Sequence, residues 1–146
     1  MSIMNGMNIS ASGMSAQRLR MDIISQNIAN VNTTRDENGE AYRRQTVVFS
    51  EKTPNSFDSI LMSKTGNSTG NGVKVSQIVK DTKTAMNLVY DPSHPDANEE
   101  GYVTYPNVNT VTEMTNLIDA SRSYEANVTA FNATKSMALK GLEVGK

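Results

Sequence analysis

The sequence predicts a mainly α protein with a small β insertion, whose long N- and C-terminal helices pack as an antiparallel coiled-coil-like pair around a polar, extended or β-hairpin middle. Three observations predict it. Apolar residues recur at helical steps from Met4 to Asn32 and again over Asn107 to Lys146. Between those ends, short β-forming runs alternate with stretches rich in Gly, Pro, Ser and Asn. The chain has five Tyr, three Phe and no Trp, which is too little bulk for a thick central core and leaves the helix seams to supply it. The order along the chain is an N-terminal helix (1–34), a β-hairpin, loop and extended connection (35–109), and a C-terminal helix (110–146).

In the first stretch Met7, Ala11, Met14, Met21, Ile24, Ile28 and Val31 fall at steps of three, four or seven, along one side of a helix about 43 Å long. The opposite side carries Ile9, Leu19 and Ile23 among Ser, Asn, Gln and Gly, with only Arg18, Arg20 and Asp22 for charge, so it too is prepared for contact. The helix is expected to end at Asn30 to Thr34, with Asn taking the left-handed cap and the threonines favouring extension. Asn38-Gly39 then suits a type I′ turn, and Tyr42 to Phe49 suits a strand.

Glu51 to Gly72 has the Gly, Ser, Asn and Thr content of a flexible linker, and its glycines do not give a phosphate-loop spacing. Val73 to Val79 alternates as a second strand, and Met86 to Tyr90 is a third short run. Asp91 to Pro106 holds three prolines and a glycine in sixteen residues, which predicts an extended, turn-rich connection. Thr110-Val111-Thr112-Glu113 reads as a capping box that starts the last helix, with Thr110 accepting from the amide three residues on and Glu113 reaching back. Leu117, Ala120, Tyr124, Val128 and Phe131 continue as its seam, with Ala138 and Leu142 extending the stripe.

Composition narrows the function. The formal net charge is −1 and no basic cluster exceeds Arg43-Arg44, so the electrostatic footprint of a nucleic-acid binder is missing. With no cysteine there are no disulfides and no thiolate chemistry. Neither a Sec-type signal nor about 18 consecutive apolar residues is visible, so no membrane span is expected. An enzyme would have to rest on Asp91, His94, Asp96 and Glu99, whose prolines fix a geometry that need not converge, and no second His or Cys completes a metal set. The residues alone therefore leave two structural readings, an assembling subunit or a soluble coiled-coil hairpin adaptor. The first expects no catalytic, cofactor or metal site and no small-molecule substrate.

Ser10 to Thr34 resembles the N-terminal signature shared by bacterial flagellar rod and hook proteins, whose core is the Asn27-Ile28-Ala29-Asn30 box followed by Asn32-Thr33. Leu88 to Asn109 and Met114 to Lys140 resemble the proximal rod members of that family, and the three segments together cover roughly half the chain. The resemblance implies a structural subunit of the flagellar basal-body rod that polymerises helically with itself and other rod proteins, forming part of the drive shaft and of the export channel wall. It also implies passage through the flagellar type III export apparatus without a cleaved signal, a place in the periplasmic rod, and terminal helices that form the inner tube. The seam residues Met7, Met14, Met21, Ile24, Ile28, Val31, Leu117, Ala120, Tyr124, Val128 and Phe131 are the expected assembly interface.

Overall fold

Helix α1 (Ile3–Ala29) is built from residues of poor intrinsic propensity, and its serine hydroxyls find partners inside the helix. Ser10 Oγ donates to the Gly6 carbonyl and Ser15 Oγ to that of Ala11, and helix α2 (Thr110–Val144) uses Thr115, Thr129 and Thr134 in the same way. The computed structural model describes residues 3–36, 39–52, 61 and 70–144. Between the helices come β1 (Gln45–Glu51), β2 (Val73–Lys80), β3 (Asn87–Tyr90) and β4 (Tyr102–Tyr105). β1 pairs with β2 and β3 with β4. The chain divides into two compact units, one of Met1–Leu19, Val48–Gln77 and Ala120–Lys146, the other of Arg20–Val47 and Ile78–Asp119. Each unit therefore draws on both helices, and in each the helices pack against one another.

In the first unit the helices approach through small residues. A Cβ at Gly6 would lie 3.5 Å from Thr134 Cγ2, and one at Gly13 would meet Asn127 Oδ1 at 2.7 Å. Seven residues on in α1 is thus seven back in α2, the mark of an antiparallel pair. Asn127 is fixed in that contact, since its Nδ2 donates to the Ser123 carbonyl at 2.8 Å. Gly72 closes the same unit. Its φ of +90° suits glycine, its carbonyl accepts from Lys52 N at 2.9 Å, and a Cβ there would collide with the Ser12 side chain. Ser12 Oγ in turn accepts from Val73 N at 3.1 Å. Gly72 is therefore a packing residue, whereas the sequence assigned it to a linker. Glu51, at the start of that expected linker, belongs to β1, and residues 53–60 and 62–69 of it lie outside the described residues.

In the second unit α1 ends without the left-handed asparagine that the sequence predicts, for no described residue other than glycine has positive φ. Asn30 N donates to the Gln26 carbonyl, Val31 N to Ile28 and Thr33 N to Asn30, so the last turn tightens stepwise. A reversal follows, in which Asp36 N donates to the Glu40 carbonyl at 2.7 Å and Gly39 takes φ +79°. The type I′ assignment also needs Asn38, which lies outside the described residues. β1 starts at Gln45 and not at Tyr42, because the amides of Tyr42 and Arg44 donate to the Thr33 carbonyl and to Asn107 Oδ1 instead of to a neighbouring strand.

The sequence missed β4. The prolines of the 91–106 stretch all lie outside it, at 92, 95 and 106, and Tyr102-Val103-Thr104-Tyr105 is four strand-forming residues in succession. It runs antiparallel to β3 with Tyr90 opposite Tyr102, whose rings meet edge-on with centroids 5.3 Å apart, and Val103 is fully buried. The α2 cap also differs by one residue. Asn109 is the cap, with its Oδ1 accepting from Thr112 N at 3.1 Å, and Glu113 turns its carboxylate away into the unit.

The glycine contacts give a paired expectation. A methyl group added at Gly141 meets open space, so Gly141→Ala raises helix stability by about 0.5–1 kcal/mol. Gly13→Ala carries the same propensity gain yet lowers the thermal midpoint followed by circular dichroism, because the new methyl displaces Asn127. Adding Asn127→Ala to Gly13→Ala recovers part of the loss. Equal stabilisation by both glycine substitutions contradicts the close approach.

Candidate functional site

The signature asparagine Asn27 is completely buried, and every hydrogen-bonding position of its amide is used. Nδ2 donates to the Gln45 carbonyl at 2.8 Å and to Glu113 Oε2 at 2.9 Å. Oδ1 accepts from the Tyr42 hydroxyl and from Gln45 N, both at 2.9 Å. One side chain on α1 thus holds the entering end of β1, the segment before it, and α2. Asn27 and Glu113 lie fourteen residues beyond Gly13 in α1 and fourteen before Asn127 in α2, so the same faces of the two helices meet here.

Glu113 is the one buried charged residue among the described residues, with a side chain 1% exposed. Its Oε1 accepts from Arg44 Nε at 2.9 Å and Nη2 at 2.7 Å, and from Asn116 Nδ2 at 3.2 Å. Two guanidinium nitrogens on one carboxylate oxygen, with Asn27 on the other, compensate the desolvation that would otherwise make this carboxylate costly. Asn107, also buried, accepts from Arg44 N and donates to the carbonyls of Asp81 and Thr84. Burial, and after it the Glu113 carboxylate, push the Tyr42 hydroxyl above its ordinary value, which keeps it protonated as a donor to Asn27.

The rest of the signature shapes the helix exit. Asn30 Nδ2 donates back to the Gln26 carbonyl while its Oδ1 accepts from Thr33 Oγ1, Ile28 is half-buried, and Ala29 and Asn32 are exposed. Thr34 Oγ1 donates to Asp96 Oδ2 at 2.8 Å. Of the expected seam, Ile24 and Ala120 are buried, and Met7, Met14, Met21, Ile28, Val31, Leu117, Tyr124, Val128 and Phe131 are half-buried. Ile23, placed by the sequence on the opposite side of α1, is buried, as are Ser10 and Ala16, so the inward face is rotated toward the small residues. Leu142, expected to extend the α2 stripe, is exposed.

Asp91, His94, Asp96 and Glu99 do not converge. Asp91 Oδ1 accepts from Ser93 N and Oγ, bonds that hold its carboxyl below the usual range, while His94 Nδ1 accepts from Asp96 N and the Asp96 carboxylate faces Thr34 and Arg35. Among the described residues no three His, Asp or Glu side chains are grouped to hold a metal ion, and no helix is long and apolar enough to cross a membrane. The residues that sequence reasoning missed are Tyr42, Arg44, Asn107 and the buried role of Glu113. The signal was present in Glu113, which lies four residues before Leu117 on the seam's own face and so must be paired once that face is buried.

Asn27→Asp tests the junction without changing its shape. It replaces a donor by an acceptor 2.9 Å from Glu113 Oε2, so it costs about 3 kcal/mol or more in chemical unfolding at neutral pH. The loss relative to the unsubstituted chain shrinks in acid, where one carboxyl of the new pair takes a proton. A change below about 0.5 kcal/mol at neutral pH contradicts the assignment.

The chain is similar to known proteins over its whole length. Residues 7–35 match the family described as flagella basal body rod protein, and residues 99–144 match flagellar basal body rod FlgEFG protein C-terminal. The flagellar basal-body rod protein FlgC of Bacillus subtilis is 54% identical with all of both chains covered. That of Borreliella burgdorferi is 43% identical over 99% of this chain and 98% of the relative, and that of Salmonella typhimurium is 37% identical with both covered in full. Both the N-terminal signature around Asn27 and the C-terminal helix that carries Glu113 fall inside the matched segments, and the chain belongs to the FlgC family of flagellar basal-body rod proteins.

Proposed function

We propose that the chain is a structural subunit of the proximal rod of the bacterial flagellum, polymerising helically with its own copies and with other rod proteins into the drive shaft and the wall of the export channel. The observation that carries this reading is its end-to-end identity of 54% to a FlgC rod protein. In this reading the chain reaches the periplasmic rod through the flagellar type III export apparatus without a cleaved signal, and its role is mechanical, not catalytic.

Exposed apolar side chains support an assembling role. On α2, Val111, Met114 and Ile118 follow one another at three and four residues and are 75%, 51% and 54% exposed. A stripe at helical spacing, unlike scattered apolar residues, marks a surface that another chain covers. The half-buried seam residues Ile28 and Tyr124 complete their burial in the same way, against neighbouring subunits.

The test uses a flagellated strain that lacks its own copy of this rod gene. The chain restores motility and copurifies with basal bodies. Ile28→Asp or Tyr124→Asp leaves subunit in the medium but stops rod assembly, because an unpaired carboxylate in a closing seam costs several kcal/mol. A full complement of rods from either variant contradicts the seam assignment. A soluble monomer absent from basal bodies contradicts the rod reading.

A further inference from the structure

Helices α1 and α2 meet in the first unit at a fixed register. Gly6 lies against Thr134 and Gly13 against Asn127, so Ile3, the first described residue of α1, stands opposite position 137. α2 runs on to Val144, and its residues 138–144 extend past the described part of α1 by about two turns, or about 10 Å. The line that faces α1 continues into this extension. Ala120 is fully buried, Asn127 and Thr134 follow it at steps of seven and touch α1, and the next step of seven is Gly141.

Gly141 has nothing near it. A Cβ added there would find no atom outside the local helix within 4 Å, whereas one at Gly6 or Gly13 meets a side chain of α2. The backbone does not call for a glycine. The helix continues through Gly141 to Val144, and among the described residues the glycines of positive φ are Gly39, Gly72 and Gly101. Glycine inside a helix weakens it. Gly6 and Gly13 offset that loss by letting α1 and α2 approach, while Gly141 carries the loss with no helix beside it. Met137, one turn before Gly141, and Leu142, next to it, are 61% and 72% exposed, so large apolar side chains flank the gap.

We propose that residues 137–142 of α2 seat an α-helix of a neighbouring rod subunit, which takes up the line that α1 leaves and lays a bulky apolar side chain against Gly141. The inference rests on the rod-subunit reading and names a surface for it. The occupant is a helix because the seat prolongs an existing helix contact on the same face and at the same spacing, and only a partner in close approach uses the missing Cβ. That helix carries an exposed apolar stripe, of the kind that α2 itself shows at Val111, Met114 and Ile118. A bulky side chain over bare backbone fills the gap as a knob fills a hole.

The test is made in the full chain, supplied to a strain lacking its own copy. Gly141→Ala leaves the isolated chain at least as stable as before, because helix propensity improves, yet it lowers rods per cell. Gly141→Leu lowers them about tenfold or more by filling the seat. Secreted subunit stays level in both, and opposite signs for stability and assembly mark a contact made only between chains. With photoreactive benzoylphenylalanine in place of Met137, illumination of purified basal bodies joins position 137 to a peptide from a helix of another rod subunit. A full complement of rods from Gly141→Leu overturns the proposal. So does a loss of rods matched by a fall in thermal midpoint or in secreted subunit, and so does illumination that joins position 137 to no helix of another subunit. These outcomes leave the rod reading intact, whereas absence of the unsubstituted chain from basal bodies removes both.

Discussion

Everything in the second unit depends on one buried charge, the Glu113 carboxylate. Withdrawn from water to 1% exposure, it is tolerable only while Arg44 and Asn27 hold both of its oxygens. That requirement fixes where β1 begins, which turn of α1 faces α2, and the path of the segment from Thr33 to Gln45. The backbone there makes few strand bonds and hangs from side-chain amides: Arg44 N from Asn107, Gln45 N and its carbonyl from Asn27. A saturated amide offers four directional bonds in a small volume, which a hydrophobic residue of similar size cannot do. The geometry is specified more sharply than the energy alone would require.

The first unit solves a different problem with small residues. Helices rich in Ser, Thr, Asn and Gly have little intrinsic stability, and neither α1 nor α2 carries enough large apolar residues to compensate. Serine and threonine hydroxyls return to carbonyls one turn back, so they add no unsatisfied polar group. Gly6 and Gly13 let the backbones approach within reach of Thr134 and Asn127, and close approach raises dispersion contact where side-chain volume is scarce. In the second unit α2 leaves the stripe at Val111, Met114 and Ile118 exposed, which is what an assembling subunit needs.

The two helices, their extents and the existence of a small β insertion were legible because periodicity and capping are local signals. The start of α2 at Thr110 was legible too, although the cap is Asn109: asparagine and threonine compete for that role, and only the backbone path decides between them. β4 was hidden because prolines at 92, 95 and 106 argue against regular structure in a stretch whose four strand residues they merely flank. The inward face of α1 was drawn through Met7, Met14, Met21, Ile24, Ile28 and Val31, of which Ile24 is buried and the others are half-buried, whereas Ser10, Ala16, Ile23 and Asn27 are buried too. Hydrophobicity points at large residues, but two backbones in close approach select small ones. The polar junction was out of reach for another reason: Asn27, Arg44, Asn107 and Glu113 are joined across 86 residues or fewer by contacts that no spacing rule encodes, and Glu113 alone left a trace, as a charge on an apolar stripe.

The most direct measurement of this account is hydrogen exchange at the amides of Arg44 and Gln45, whose acceptors are the side chains of Asn107 and Asn27. If the junction holds the unit together, both amides exchange only when the unit unfolds, slowed about a thousandfold or more and matching the amide of Glu113 inside α2. Exchange as fast as at the exposed turn amides of Lys83 and Thr84, with Glu113 still protected, contradicts it.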